Sequence, residues 1–276
     1  MNSQKELFDK LSLACSRKTT LLYSTSFSLA IKLLSKEYQK AIFSIYGFVR
    51  LADEIVDTFH DFDKKLLLKE LRLETKNSIN RGISLNPIIN SFQNVVRKYD
   101  IEFDLIDSFL KSMEYDLDNK NCSDESYKTY IQGSAEAVGL MCLHVFCFKS
   151  SYKYEDLKPY AESLGSAFQK INFLRDLKDD YNLLNRVYFP DLDIENFTNE
   201  DKLKIESDIK GEFDHALKGI LLLNKDARKG VFLAYRYYVE LFKKIQKLDA
   251  QIILKQRVRI SNFKKILILI SSQFKY

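Results

Sequence analysis

The sequence predicts an all-α protein. Glycine (8) and proline (3) are scarce in 276 residues, while Leu, Ile, Phe and Tyr are abundant. Strand-like alternation bounded by turn residues does not persist beyond one segment. Apolar residues instead recur three and four apart, the period of a helix with one buried face. A chain of this length buries about 75% of its unfolded surface, enough to hold a deep apolar pocket. No internal linker interrupts it, so residues 1–276 are expected to form one domain.

The elements follow in order. Residues 3–18 are expected to be helical. Residues 20–34 continue as an apolar helix or turn-helix rich in hydroxyls, which either bond back to their own helix or line a polar rim. Ser35 is placed to cap the long helix that carries Arg50, Asp53 and Asp57. Residues 61–80 form a charged outer helix. Asn86 and Pro87 open a helix running to Tyr99, and Glu102 to Leu117 follows with an apolar stripe at Phe103, Ile106, Phe109, Leu110 and Met113. After a loop over 119–124, a helix is expected from Glu125 to Phe148. In it Gly133 and Gly139 allow close approach to the backbone, by another helix or, as the alternative, by a ligand. Pro159 is expected to open the next helix, which ends before the segment from Asn185 to Pro190. Thr198 and Asp201 mark a capped start, helices of about 199–224 and 227–248 follow, and Ile252 to Phe274 is basic and amphipathic.

The helix through 165–181 holds the first chemical signal. Gln169, Asn172, Asp176 and Asp180 recur at spacings of three and four and share one face, among Ala167, Phe168, Ile171, Phe173, Leu174 and Leu177. Two carboxylates on a largely apolar helix are either a solvated face or a buried one, and a buried one needs basic side chains, a pKa shift or a cation. Magnesium suits the oxygen-only donor set best. A second copy favours the buried reading. Asp53 and Asp57 lie four apart on another apolar helix, with Arg50 one turn before, so two such helices facing each other place four carboxylates around one cavity.

Net charge is +5, unevenly spread: residues 228–276 hold twelve Lys or Arg against Glu240 and Asp249. This end calls for an anion. Its basic residues are interleaved with Leu, Ile and Val and form no nucleic-acid-binding motif, so no nucleic-acid partner is expected, and phosphorylated metabolites or an anionic membrane surface fit better. Peripheral membrane contact through 252–274, taken as an amphipathic helix, is therefore expected, the alternative being that its apolar face closes the core. Cys15, Cys122, Cys142 and Cys147 show neither a Cys-x-x-Cys pair nor zinc-site spacing, and no secretory signal precedes them. Reduced thiols in a cytoplasmic protein are the expectation. No uncharged apolar run reaches the roughly 18 residues of a spanning helix, and His60, His144 and His215 are too scattered to act together.

Four blocks in order, Arg50/Asp53/Asp57, Tyr130 with Ala135/Val138/Gly139/Leu140/Met141, Gln169/Asn172/Arg175/Asp176/Asp180, and Arg186/Tyr188/Pro190, resemble the squalene/phytoene synthase family, in particular its bacterial phytoene synthases. The resemblance implies a helical isoprenoid-synthase fold with a central apolar pocket and the two aspartate motifs facing each other at its mouth. It implies that Asp53, Asp57, Asn172, Asp176 and Asp180 hold magnesium and through it the diphosphates. It places Arg50, Arg175 and Arg257 on diphosphate oxygens, Tyr130 and Tyr238 near the reacting ends, and Ser24, Ser26, Phe27, Ile31 and Tyr46 along the pocket. The implied reaction joins two geranylgeranyl diphosphates head to head into phytoene through a cyclopropyl diphosphate. The alternative is squalene or dehydrosqualene from two farnesyl diphosphates; reduction to squalene needs NADPH, and no Gly-x-Gly-x-x-Gly follows a strand. A silent helical partner protein would have no physical need for all four aspartates. Two departures stand out: Glu136 and Ala137 replace the family's usual Gly and Thr, so the helix there packs differently or brings an extra carboxylate to the cavity, and the basic tail lacks some of the usual arginines.

Overall fold

The computed structural model describes residues 3–118, 123–148, 150–184, 187–190 and 192–273. Arg186, Cys122 and most of the 119–124 loop lie outside them. The described chain is helical and contains no extended strand: α1 Ser3–Tyr23, α2 Thr25–Ile31, α3 Lys36–Asp57, α4 Lys64–Arg81, α5 Pro87–Tyr99, α6 Phe103–Asp118, α7 Asp124–Ile131, a π-helical turn Gln132–Glu136, α8 Ala137–Cys147, α9 Tyr154–Leu184, α10 Asn199–Leu222, α11 Lys225–Gln246, α12 Ala250–Ile253 and α13 Asn262–Gln273.

Local chemistry fixes most of the boundaries. Ser24 separates α1 from α2 and accepts from the Phe27 amide, and Ser35, Asp63, Asn86 and Asn224 cap the next helices in the same way. Thr198 and Asp201 form a reciprocal capping box at the start of α10. In the hydroxyl-rich segment, Thr20 bonds back to the Ser16 carbonyl and Ser28 to that of Thr20, which leaves Ser24 and Ser26 for the pocket.

α3 runs through the core beside α1, α5 and α8. Phe48 is fully buried and stacks on Phe92 of α5 with centroids 4.0 Å apart. The glycines on the far side bring backbones together, as their spacing predicts. A Cβ on Gly133 would lie 2.6 Å from the Ser108 carbonyl of α6, one on Gly139 3.2 Å from the Ala161 carbonyl of α9, and one on Gly165 2.8 Å from the Ala135 carbonyl. Gly133→Ala is therefore expected to destabilise the fold by about 1–3 kcal/mol through overpacking. Gly211→Ala, whose Cβ would meet nothing within 4 Å, should gain about 0.5–1 kcal/mol from helix propensity. Urea unfolding of both variants checks the contrast, and equal effects would show that the close approach carries no cost.

Three expectations are corrected. Pro159 lies inside α9, which begins at Tyr154. At its sixth position the proline forfeits one bond, to the Glu155 carbonyl, while Glu155 and Asp156 favour the helix start. The helix expected from Glu125 to Phe148 is broken by the π turn where Gly133 meets α6 and Ala135 meets Gly165. The segment 252–274 is not one helix. After α12 it extends so that Val258 is buried while Arg257 and Arg259 are exposed, and it turns helical again at Asn262.

Candidate active site

A cavity of about 970 Å³ is enclosed by α2, α3, α8, α9, α10 and α11. This volume lies at the upper end for a small-molecule site. Its closed end is apolar, lined by Ile31, Leu34, Phe146, Leu157, Ile220 and Leu223. The Tyr160 ring over Gly219 and Leu34 over Gly230 shape that end, since a Cβ on either glycine would lie within 2.3 Å of the covering side chain. Its open end is polar. Most of the residues singled out from the sequence line this one cavity: Ser24, Ser26, Phe27, Ile31, Tyr46, Arg50, Asp53, Asp57, Tyr130, Gln169, Asn172, Arg175, Asp176, Asp180, Tyr238 and Arg257.

α3 contributes Tyr46, Arg50, Asp53 and Asp57 along one face. Arg50 pairs with Glu54, lies 3.8 Å from Asp53 and sits 4.3 Å over the ring of Tyr23. Burial, the neighbouring Asp57 carboxylate and the more distant Asp116 push Asp53 up to about 7, against the pull of Arg50.

α9 contributes the second set. Arg175 Nε donates to Asp176 at 2.9 Å, and Arg257, from the extended strap before α13, reaches the same carboxylate with Nε at 2.7 Å. Burial works against the Arg175 charge, yet its bonds to Asp176 hold its pKa above the ordinary value. Asn172 donates to Gln169 at 3.4 Å and accepts from the Tyr238 hydroxyl at 3.2 Å. Between the two sets stands an aromatic wall. Tyr238 stacks on Phe168 at 3.8 Å, and Phe27 lies 6.0 Å from both Tyr46 and Tyr238. Burial and then Asp53 raise the Tyr46 phenol to about 12, so it remains protonated.

Asp116 was not anticipated. It is buried on α6, accepts from Tyr130 at 2.7 Å and Tyr188 at 3.1 Å, and lines the cavity. Burial, followed by the charge of Asp116, places the Tyr130 phenol well above its usual range. The signal was present in the sequence, because Asp116 follows Met113 by three on the α6 stripe and is an acid in line with a buried face. Lys265 at the cavity edge was also missed. Glu136 is not part of the cavity wall; its charged neighbours are Glu162 and Lys170 of α9 and Glu212 of α10. Of the histidines, His215 bonds Ser163 and His144 packs on Tyr154.

Comparisons with known proteins place the chain in a family. The sequence model of the squalene/phytoene synthases matches residues 22–264. The 4,4'-diapophytoene synthase of Staphylococcus haemolyticus is 25% identical over 264 residues, covering 88% of this chain and 90% of that protein. The chloroplastic phytoene synthase of Cucumis melo is 30% identical over 96% of this chain and 65% of its own length. In structure, a ligand-bound dehydrosqualene synthase superimposes with a TM-score of 0.81 at 19% identity, covering 96% of each chain. A family match over most of the chain, joined to the same helical fold, shows that this protein belongs to the squalene/phytoene synthase family, whose members are prenyltransferases that condense isoprenoid diphosphates.

Proposed function

We propose that this protein joins two geranylgeranyl diphosphates head to head into phytoene, in carotenoid biosynthesis, at a membrane surface where its oily substrates reside. The observation that carries the reading is one apolar cavity with both aspartate-bearing helix faces and Arg50, Arg175 and Arg257 among the residues of its polar end. Among the described residues no three acidic, His or Cys side chains stand ready-grouped for a metal. The residues nonetheless fit magnesium, because the donors are all oxygen and the repelled carboxyl of Asp53 is relieved by a cation. Asp53 and Asp57 on one side, and Asn172, Asp176 and Asp180 on the other, would hold it. When bound, magnesium supplies Lewis-acid stabilisation of the leaving diphosphate.

The chain's own residues perform the rest. Arg50, Arg175 and Arg257 bind diphosphate oxygens and stabilise the charge that develops as the allylic carbon–oxygen bond breaks. The walls of Phe27, Tyr46, Phe168 and Tyr238 exclude water from the allylic cation and present ring faces to it. No strong protein nucleophile is needed, because the double bond of the second substrate attacks. Ring closure to the cyclopropyl diphosphate releases one proton; this intermediate then loses its own diphosphate, rearranges and gives up a second proton to leave the central triene, the two released diphosphates taking up the protons. Tyr130 bonds Asp116 and Tyr238 bonds Asn172, which supports the reading that both phenols are held near the reacting ends.

A second reading, dehydrosqualene from two farnesyl diphosphates, is favoured by the diapophytoene synthase relative that matches along nearly its whole length. Incubation of the pure protein with magnesium and each diphosphate separately, with and without NADPH, decides between them by the hydrocarbon formed. No hydrocarbon from either sinks the reading.

Asp53 also sets a pH dependence. Its carboxyl titrates near 7, so the charge that attracts magnesium is present above that pH and is lost as pH falls through it. The half-saturating magnesium concentration is expected to rise by up to about tenfold per pH unit below 7. Rate measurements against magnesium on either side of neutrality check this, and a constant half-saturation point overturns it.

A further inference from the structure

The π turn Gln132–Glu136 forms part of the cavity wall through Ser134 and Ala135. Its register is set by the Ala137 amide, which donates to the Gln132 carbonyl five residues back. Single π turns are frequent at functional sites. Several helical hydroxyls elsewhere in this chain bond the carbonyl four residues before them: Ser12 to Phe8, Thr20 to Ser16, Ser44 to Lys40 and Thr75 to Leu71. In the wider turn Ser134 forms no such bond. Its hydroxyl is a buried polar atom without a hydrogen-bond partner among the described residues. Arg50 Nε is the other such atom on a cavity-lining residue, and Arg50 is engaged with Glu54 through another of its nitrogens.

Two helices place Ser134 at the level where the cavity changes character. On its own helix, Tyr130 lies one turn before it and donates to Asp116, whereas the lining residues after it, among them Val138, Leu143 and Phe146, carry neither charge nor hydroxyl. On α9 the residue that meets the π turn is Gly165, where a Cβ would lie 2.8 Å from the Ala135 carbonyl. The lining residues before Gly165 include Leu157, Ala161 and Leu164, and those after it include Gln169, Asn172 and Asp176. A substrate with its diphosphate in the polar end and its isoprenoid tail in the apolar end has the carbon–oxygen bond between them at this boundary.

We propose that Ser134 is a catalytic residue whose hydroxyl donates to the diphosphate oxygen next to the allylic carbon of the bound substrate. A buried donor without an acceptor is costly and calls for an explanation, and here the substrate brings the acceptor that the fold withholds. Ser134 already lines the cavity, so one rotamer step about its Cα–Cβ bond turns the hydroxyl onto the ligand. As the carbon–oxygen bond breaks, its electron pair leaves with that oxygen, negative charge grows there, and the hydrogen bond strengthens while Ser134 keeps its proton. The inference rests on the isoprenoid reading, which supplies the allylic diphosphate.

The test compares the full-length parent with Ser134→Ala and Ser134→Cys, the second nearly isosteric with serine but a weak donor. Removing a hydroxyl that the fold leaves unsatisfied should raise the melting temperature of Ser134→Ala by about 2–4 °C. With magnesium and saturating diphosphate, the single-turnover rate of both variants is expected to fall about a hundredfold, the scale on which one donor to a developing oxyanion acts. Affinity is read by calorimetry with an unreactive analogue whose carbon-bound diphosphate oxygen is replaced by sulfur. It should change less than a few-fold, because the bond gains its strength only as charge develops. A parent that forms hydrocarbon beside a Ser134→Ala variant that keeps its rate overturns the assignment of Ser134 and leaves the isoprenoid reading standing. A Cys variant as fast as the parent overturns it as well, since volume and not the donor would then matter. So does an Ala variant that melts below the parent, which would show the hydroxyl satisfied inside the fold by a buried water. A parent that converts neither diphosphate overturns the reading itself, and the role of Ser134 with it.

Discussion

Asp53→Asn and Asp176→Asn are each expected to lower turnover by about a thousandfold, the equivalent of ~4 kcal/mol of lost transition-state stabilisation at a magnesium and diphosphate site. The two should part company in stability. Asp53 is destabilised as a carboxylate by burial, Asp57 and Asp116, so its neutral amide should leave the melting temperature unchanged or raise it above neutral pH. Asp176 is the shared partner of Arg175 and Arg257. Its loss removes both ion pairs, and because the pairs are partly solvated the cost should be only about 1 kcal/mol. Circular dichroism, thermal melting and single-turnover assays separate the effects. A folded variant that turns over within a few-fold of the parent refutes the role given to that motif.

The parts of the fold that were legible share a cause: local chemistry that acts within a few residues. The caps at Ser35, Asn86 and Thr198, and the end of α9 before the segment leading to Pro190, rest on side chains adjacent to the backbone they govern. The misread parts are decided by distant packing. The π turn at Gln132–Glu136 depends on α6 and α9 closing against Gly133 and Ala135. The extended strap depends on Val258 finding the core. At the site, the charged residues were readable because carboxylates on an apolar helix are costly and demand a reason. Asp116 met the same criterion and was missed because it has no second acid four residues away. Its tyrosine partners Tyr130 and Tyr188, 14 and 72 residues distant along the chain, reveal what it does.

Ile31→Phe is expected to lower kcat/KM for geranylgeranyl diphosphate on the order of a hundredfold while leaving that for farnesyl diphosphate within a few-fold, the scale on which an apolar pocket discriminates by size. Phe27 and Ile31 are one turn apart on α2 and both line the cavity. Phe27 belongs to the aromatic wall near the polar end, whereas Ile31 is only 3% exposed and stands with Leu34 at the closed end. A tail entering from the diphosphate end therefore passes Phe27 before it reaches Ile31. One more isoprene unit needs about a ring's volume beyond that point, in an interior that is otherwise close-packed. A phenyl group in place of the isoleucine side chain occupies that volume and spares the shorter tail. The substitution also risks overpacking against Leu34 and its neighbours, at about 1–3 kcal/mol, so melting temperature is measured alongside. Selective loss with the longer diphosphate in a folded variant supports Ile31 as the end wall of a twenty-carbon site. Equal loss with both diphosphates, or none, refutes it.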